Sequence, residues 1–339
     1  MKQKVLATWI VNDTKVEQSW FPQAGKIQSD NPQVHFMYWR CVADFFACAS
    51  RTCGDSCRLV LFTNRPIAAP DIKNFLVSLG VEVIVVPLAH LPPVGYHGSW
   101  RNQFYILDLI QYLAKTAENE SYVILDSDCV INKSLDPLYQ ELAQKGALLY
   151  SMSYSEEHSI NGLTRVEMKA LYEEISGEPL TEIPRYCGGE FFAATSEAIR
   201  AMAELSEAIW RECMDRFELG KAKFNEEAHF LSYLYFRLGF EHDTANRFIK
   251  RLWTQFSYRN VEPQDYELAI WHVPAEKRYG FKRLYRVIRK RDSWFWKMPA
   301  VDRWRARIGV MLGIPAFGTH KKLQDLGNRV LAKVLKSSI

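Results

Sequence analysis

Four short apolar runs, each followed by a helix-patterned segment, limit the possible folds of this chain more than any other feature. Residues 5–11, 58–64 (RLVLFTN), 81–88 (VEVIVVPL) and 121–125 are rich in aliphatic and β-branched side chains and lack polar alternation. Strands of that kind are buried on both faces, as in parallel sheets joined by crossover helices. Between them, residues 34–49 carry apolar and aromatic side chains at helical spacing. Residues 71–79 form a short helix stopped by Gly80. Residues 100–115 form an amphipathic helix capped by Ser99. The expected class is α/β, a mostly parallel sheet flanked by helices. Ligands of such sheets sit beyond the carboxyl ends of the strands.

The second half is less regular. The pattern predicts strands over 147–153 and 191–195, the latter entered through Gly188 and Gly189, and helices over 164–175, 196–219 and 223–238. From Phe281 the chain is basic, aromatic and helical, interrupted at Pro299 and Pro315. The net charge of +4 conceals an asymmetry. Residues 277–339 hold 17 Lys and Arg against 3 Asp (net +14), which leaves 26 basic and 36 acidic residues (net −10) for the rest. A basic tail on an acidic body points to an anionic partner for the tail. Basic and aromatic residues on amphipathic helices suit an anionic membrane surface, and nucleic acid is not expected because no reading motif is present. A basic face that only solvates helices packed on the body is the alternative.

Seven cysteines, an odd number without regular spacing, read as reduced thiols of a cytosolic protein. The apolar run at 5–11 is too short to span a membrane and has no cleavage site after it, so it reads as a first strand and not a signal peptide.

The fourth run ends in Asp126-Ser127-Asp128. Two carboxylates directly after a buried strand are costly unless something neutralises them. Two residues apart on a turning chain, they can reach one divalent ion. Mg²⁺ or Mn²⁺ suits such ligands and fills its remaining positions with water and phosphate oxygens. The same triplet also suits an ordinary turn.

With its apolar strand ending in D-x-D, the sequence resembles the glycosyltransferases of the GT-A fold over roughly residues 1–285. It looks most like two retaining groups, the glycogenin and lipopolysaccharide galactosyltransferase family and the blood-group A/B transferase family. The resemblance implies a nucleotide-binding half (1–130), an acceptor and catalytic half (131–280) and a helical basic extension (281–339). It implies a nucleotide-diphosphate sugar donor, a UDP-sugar in the first instance, and a saccharide or lipid-linked acceptor. Gly188-Gly189-Glu190 looks like the turn that lies against the donor sugar. Asn225-Glu226-Glu227 looks like the acidic helix start of the blood-group transferases, with Glu227 at the anomeric carbon and Glu226 its competitor. Trp271-His272-Val273-Pro274, followed by Gly280-Phe281-Lys282, looks like the late motif whose histidine completes the metal site and whose lysine reaches the diphosphate. Here Arg283-Leu284 follows that lysine in place of the usual Pro-Trp, so Lys277 and Arg278 compete with Lys282.

The expected metal ligands are therefore Asp126, Asp128 and His272. Ser127, Gly188, Gly189, Glu190, Lys282 and Arg101 are expected at the donor, with Asn102 and Gln103 as substitutes for Arg101. Trp9, Asn64 and Arg65 lie at predicted strand ends where a nucleoside would sit, although Trp9 also reads as core. Retention is the first expectation. An inverting enzyme would use Glu190 or Glu226 as general base. Two further readings are a metal-dependent nucleotidyl- or phosphotransferase and a non-catalytic protein on the inner face of the membrane.

Overall fold

The computed structural model describes residues 3–21, 27–255, 257–299, 301–319, 321–323 and 325–327. Residues 328–339, the end of the predicted basic tail, lie outside them. In chain order the elements are β1 (Gln3–Ile10), α1 (Pro32–Thr52), β2 (Arg58–Thr63), α2 (Pro70–Val77), β3 (Glu82–Val85), α3 (Tyr105–Thr116), β4 (Glu120–Leu125), β5 (Cys129–Ile131), α4 (Asp136–Lys145) and β6 (Ala147–Leu148). The second half contributes α5 (Arg165–Ser176), β7 (Phe191–Thr195), α6 (Ser196–Glu218), α7 (Glu227–Arg237), β8 (Ile249–Arg251), β9 (Ile270–His272), α8 (Gly280–Ile288), α9 (Trp294–Lys297) and α10 (Val301–Leu312).

The four predicted runs are the four parallel strands. The main sheet has the order β3-β2-β1-β4-β7-β6, with β1 to β4 parallel, β7 antiparallel to β4 and β6 antiparallel to β7. Alternate residues of each central strand feed opposite faces. Leu6, Val123 and Leu125 pack with α1, α4 and α8 on one side. Val5, Ala7, Tyr122 and Ile124 pack with α3, α5, α6 and α7 on the other.

Helix ends follow local chemistry where the sequence supplies it. Asn31 caps α1 through the Gln33 amide (2.9 Å), with Pro32 next in line. Thr164 and Glu167 form a capping box on α5, and Gly177 at φ 73° ends it. Three boundaries differ from expectation. Ser99 does not cap α3. Trp100 adopts a left-handed conformation (φ 48°), and a 3₁₀ turn, Arg101–Phe104, precedes the helix. The first amide of that turn donates to Ser19 Oγ (3.1 Å), which does the work of the cap. The strand expected over 147–153 pairs with β7 at Ala147 and Leu148 and continues only as an isolated bridge from Ser151 to Cys187. Beyond Leu148 the amides of Leu149 and Ser151 donate to Thr244 Oγ1 (2.8 Å) and Asn246 Oδ1 (3.0 Å). The helix expected from residue 223 begins at Glu227, because Glu226 is extended (φ −145°, ψ 165°) and its carboxylate is held by Tyr186 and Asn161.

A second, three-stranded sheet has the order β5-β9-β8. Its strands have three residues each, too short for a periodicity signal. Its register sets Cys129 opposite His272.

The basic extension shares the body's core. Phe281, Leu284, Ile288, Phe295, Trp304, Ile308 and Leu312 belong to the same buried cluster as α1. Arg51 of α1 donates to the carbonyls of Phe295 (2.7 Å), Trp296 (2.9 Å) and Met298 (2.6 Å). All seven cysteines are free and buried. No helix of the described residues is long and apolar enough to cross a membrane. Removing a large buried aromatic costs about 3–5 kcal/mol. Trp304→Ala is therefore expected to destabilise the whole chain by about that amount in urea unfolding, and an unchanged midpoint would mean that the extension does not support the body.

Candidate active site

Beyond the carboxyl ends of β1 and β4 lies a cavity of about 390 Å³, within the range of small-molecule sites. Trp9, Asn102, Gln103, Asp126, Ser127, Asp128, Gly189, Glu190, Glu226, Glu227, Arg251, His272 and Lys277 all line it.

The short sheet gathers its acidic end. Val273 N donates to the Asp128 carbonyl (3.1 Å) as β9 leaves its pairing with β5. The His272 ring is thereby set beside the D-x-D turn. One ligand atom from each of Asp126, Asp128 and His272 lies within 4.8 Å of the other two. His272 Nε2 is 3.3 Å from Asp128 Oδ2 and 3.8 Å from Asp126 Oδ2. The other ring nitrogen, Nδ1, is 3.1 Å from Glu190 Oε1. That carboxylate accepts two bonds from the Arg251 guanidinium (2.7 and 2.5 Å). A carboxylate held in this way accepts a hydrogen bond from Nδ1–H and turns Nε2 toward the two aspartates, where a bound ion would take the place of its proton. Nε2 is buried and makes no hydrogen bond. This donor set, two carboxylates and one imidazole, fits a divalent metal ion.

The charges explain what the wall needs. Burial, then the neighbouring Asp128, push Asp126 up to about 6. Burial works against ionised Asp128 too, but Lys277 and His272 hold its carboxyl well below the usual range. Glu190 is held low in the same sense, against burial, by Arg251 and His272. Burial also opposes charge on His272, yet Asp128 and Glu190 push it up to about 9. Burial, Glu226, Asp126 and Glu190 together raise Glu227 well above a normal carboxyl. Two aspartates at one point of an acidic wall form a group that could hold a metal ion.

The glutamate pair divides clearly. Glu226 accepts bonds from the Tyr186 hydroxyl (2.8 Å) and the Asn161 amide. Glu227 Oε2 makes no hydrogen bond, and Glu227 is the first residue of α7, where the helix dipole favours negative charge. The glycines have a steric reason. A Cβ on Gly189 would collide with the Glu227 carboxylate, and one on Gly188 with that of Glu190.

Several expected residues lie elsewhere. Arg101 does not line the cavity, because its guanidinium donates to the carbonyls of Pro92 (3.2 and 2.8 Å), Val16 (3.3 Å) and Gln18 (3.4 Å). Its neighbours Asn102 and Gln103 face the cavity instead. Asn64 and Arg65 also lie off the cavity. Asn64 accepts from the Asn12 amide (2.8 Å), and Arg65 bonds the Asn12 carbonyl (2.6 Å) and Glu17 (2.6 Å), so both brace the loop after β1. Lys282 is on α8, away from the cavity. Its rival Lys277 lines the cavity and pairs with Asp128. Arg251 carried no signal in the sequence, since its strand has three residues and no motif.

No family model matches this sequence, and no curated protein matches it. Solved structures do. The galactosyltransferase LgtC, in complex with donor and acceptor sugar analogues, is similar at TM-score 0.51 and 13% identity over 94% of this chain and 99% of that one. An active-site mutant of LgtC gives TM-score 0.49 at 13% identity, over 79% of this chain and 86% of that one. Mouse xyloside xylosyltransferase 1 in its apo form gives 0.45 at 12% identity, over 80% and 97%. The first of these likenesses shows a shared fold, the GT-A arrangement expected from the sequence.

Residues that orient a metal-binding histidine commonly contribute 10–100-fold to affinity. Glu190→Ala is expected to weaken Mn²⁺ binding by about 10–100-fold, read as free Mn²⁺ by electron paramagnetic resonance on folded protein. Unchanged affinity would show that Glu190 does not orient His272 for an ion.

Proposed function

We propose that this protein is a glycosyltransferase that moves a sugar from a nucleoside-diphosphate sugar, in the first instance a UDP-sugar, to a saccharide or lipid-linked acceptor with retention at the anomeric carbon. The observation that carries the reading is the convergence of Asp126, Asp128 and the unbonded His272 Nε2 at one point of a cavity beyond the sheet. Asp126, Asp128 and His272 would hold Mn²⁺ or Mg²⁺, which supplies Lewis-acid neutralisation of the diphosphate leaving group. Lys277 adds a fixed positive charge on the same wall. Trp9, Asn102 and Gln103 line the nucleoside end, within residues 1–130. The acceptor enters against residues 131–280.

Glu227 is the group that works at the sugar. The Glu190 oxygens are engaged by Arg251 and His272, and those of Glu226 by Tyr186 and Asn161. Only Glu227, of these three, keeps a carboxylate oxygen without a hydrogen bond. That oxygen can stabilise an oxocarbenium-like centre or attack it from the face opposite the leaving group, which favours retention over a base-assisted inverting route. The exposed basic residues Arg286, Lys290 and Arg303 suit docking on anionic lipid, at about 1 kcal/mol each. The packed extension makes truncation a poor probe of that docking. Replacing those three by Gln is expected to reduce co-sedimentation with phosphatidylserine vesicles, and equal sedimentation would remove the membrane from the proposal.

The donor reading is tested by incubating the protein with a panel of nucleotide sugars and Mn²⁺ and following hydrolysis. One donor should be consumed, and UDP with Mn²⁺ should raise the melting temperature. Asp128→Asn is expected to abolish the metal-dependent shift. Glu227→Gln should retain it and lose at least about 100-fold in turnover, the scale of removing a group used in the transition state. A fully active Glu227→Gln enzyme would overturn the assignment of Glu227. Absence of any nucleotide- and metal-dependent shift would overturn the donor reading.

A further inference from the structure

The turn that carries Lys277 to Asp128 is organised by its neighbour, Glu276. That carboxylate is buried, with 1% of the residue exposed. It accepts from the Thr254 hydroxyl, the Gly280 amide (2.9 Å) and the Lys321 ammonium (2.9 Å). Its backbone amide donates to Val273 O (3.0 Å), and its carbonyl accepts from Tyr279 N (3.0 Å), so the side chain and the turn form one unit. Lys321 comes from beyond α10. It is 3% exposed and also binds Asp325 (2.5 Å). Asp325 accepts from Arg283 of α8 (3.0 Å), and Arg283 in turn donates to the Met311 carbonyl (2.8 Å).

The backbone is shaped to admit this lysine. Gly313 is at φ 80°, and a Cβ there would stand 3.1 Å from Lys321 Cδ and Cε. At Gly280 a Cβ would meet Glu276 Oε2 at 2.6 Å and Leu312 Cδ2 at 2.5 Å. A buried carboxylate that loses its cationic partner is strongly destabilised and drives its surroundings to rearrange.

We propose that Lys321 is a positioning residue. It latches the C-terminal segment onto Glu276 and thereby holds Lys277 against Asp128. Its consequence for the donor diphosphate rests on the transferase reading above; the latch itself does not. In this arrangement the segment after α10 is wired to the acidic wall through two ion pairs separated by one peptide bond. Its displacement releases the fixed charge beside the D-x-D turn.

The test uses the full chain with Lys321→Met, Lys321→Arg and Asp325→Asn. Lys277 is buried and paired, so its acetylation by an amine-reactive ester, followed by mass spectrometry, reports the latch without any nucleotide. Lys321→Met is expected to expose Lys277 to acetylation and to weaken UDP binding in the presence of Mn²⁺ by about tenfold, as for one misplaced charge-assisted contact. Lys321→Arg is expected to restore both. If Lys321→Met does not fold, Asp325→Asn decides, since it loosens Lys321 while leaving Glu276 its cation; the same changes are expected in smaller measure. A lowered melting temperature with Lys277 as protected as in the parent would make Lys321 a structural prop and overturn the proposal. If the parent binds no UDP, the donor reading fails, and the acetylation contrast alone supports or overturns the latch.

Discussion

Cys129 and His272 face each other across β5 and β9, and the candidate site depends on that pairing. A strand ending in Asp126-Ser127-Asp128 would otherwise present two carboxylates to a cavity with nothing to neutralise them. The short sheet brings a ring nitrogen from far along the chain to the same point, and its third strand delivers Arg251 to the Glu190 carboxylate behind that ring. Each acid here is tolerable because of a specific positive neighbour: Lys277 for Asp128, and Arg251 with His272 for Glu190. The charges are expensive to bury and only close pairing offsets the cost. Asp126 stands 3.8 Å from His272 Nε2, Glu227 Oε2 makes no hydrogen bond, and both carboxyls are shifted upward. In the proposed reaction these are the groups assigned to the cation and the sugar.

The central sheet was legible because its strands are buried on both faces. A continuous apolar run of that kind leaves a signal that survives without any alignment, and the helices between such runs leave another. D-x-D was legible for a related reason: it stands where a buried strand has just ended. The strands of the second sheet were hidden because three residues cannot show a period of two. His272 was found only through its resemblance to a known motif, and Arg251, one strand away in the same sheet, belonged to no motif and was missed.

The misplaced cations share one physical cause. Arg101 was assigned by its place at the start of a helix and Lys282 by its place in a motif, but a long basic side chain goes where acceptors are. Pro92, Val16 and Gln18 offer carbonyls to Arg101, and the 3₁₀ turn that it opens leaves Asn102 and Gln103 lining the cavity. Lys282 falls on α8 and lies off the cavity, whereas Lys277, on the turn before that helix, lies directly beside Asp128. Asn64 and Arg65 illustrate the same point: the end of a parallel strand offers its side chains to a ligand only where no neighbouring loop claims them first, and here the loop after β1 does.

The extension shows how a composition signal and a packing pattern can describe different faces of one segment. Residues after 280 are strongly basic, which suggests a tail. Yet the apolar face of α8 lies on α1, and Trp304 and Phe295 are sealed beneath Arg51. Net charge describes the outward face of a helix, and says nothing about what its inward face is doing. Here the inward face completes the core against α1. Two of the cations, Lys321 and Arg283, are turned to inner acids instead of solvent. The same segment thus shows a basic outer face to solvent and, through Lys321, an inner ion pair to the turn of Glu276 and Lys277.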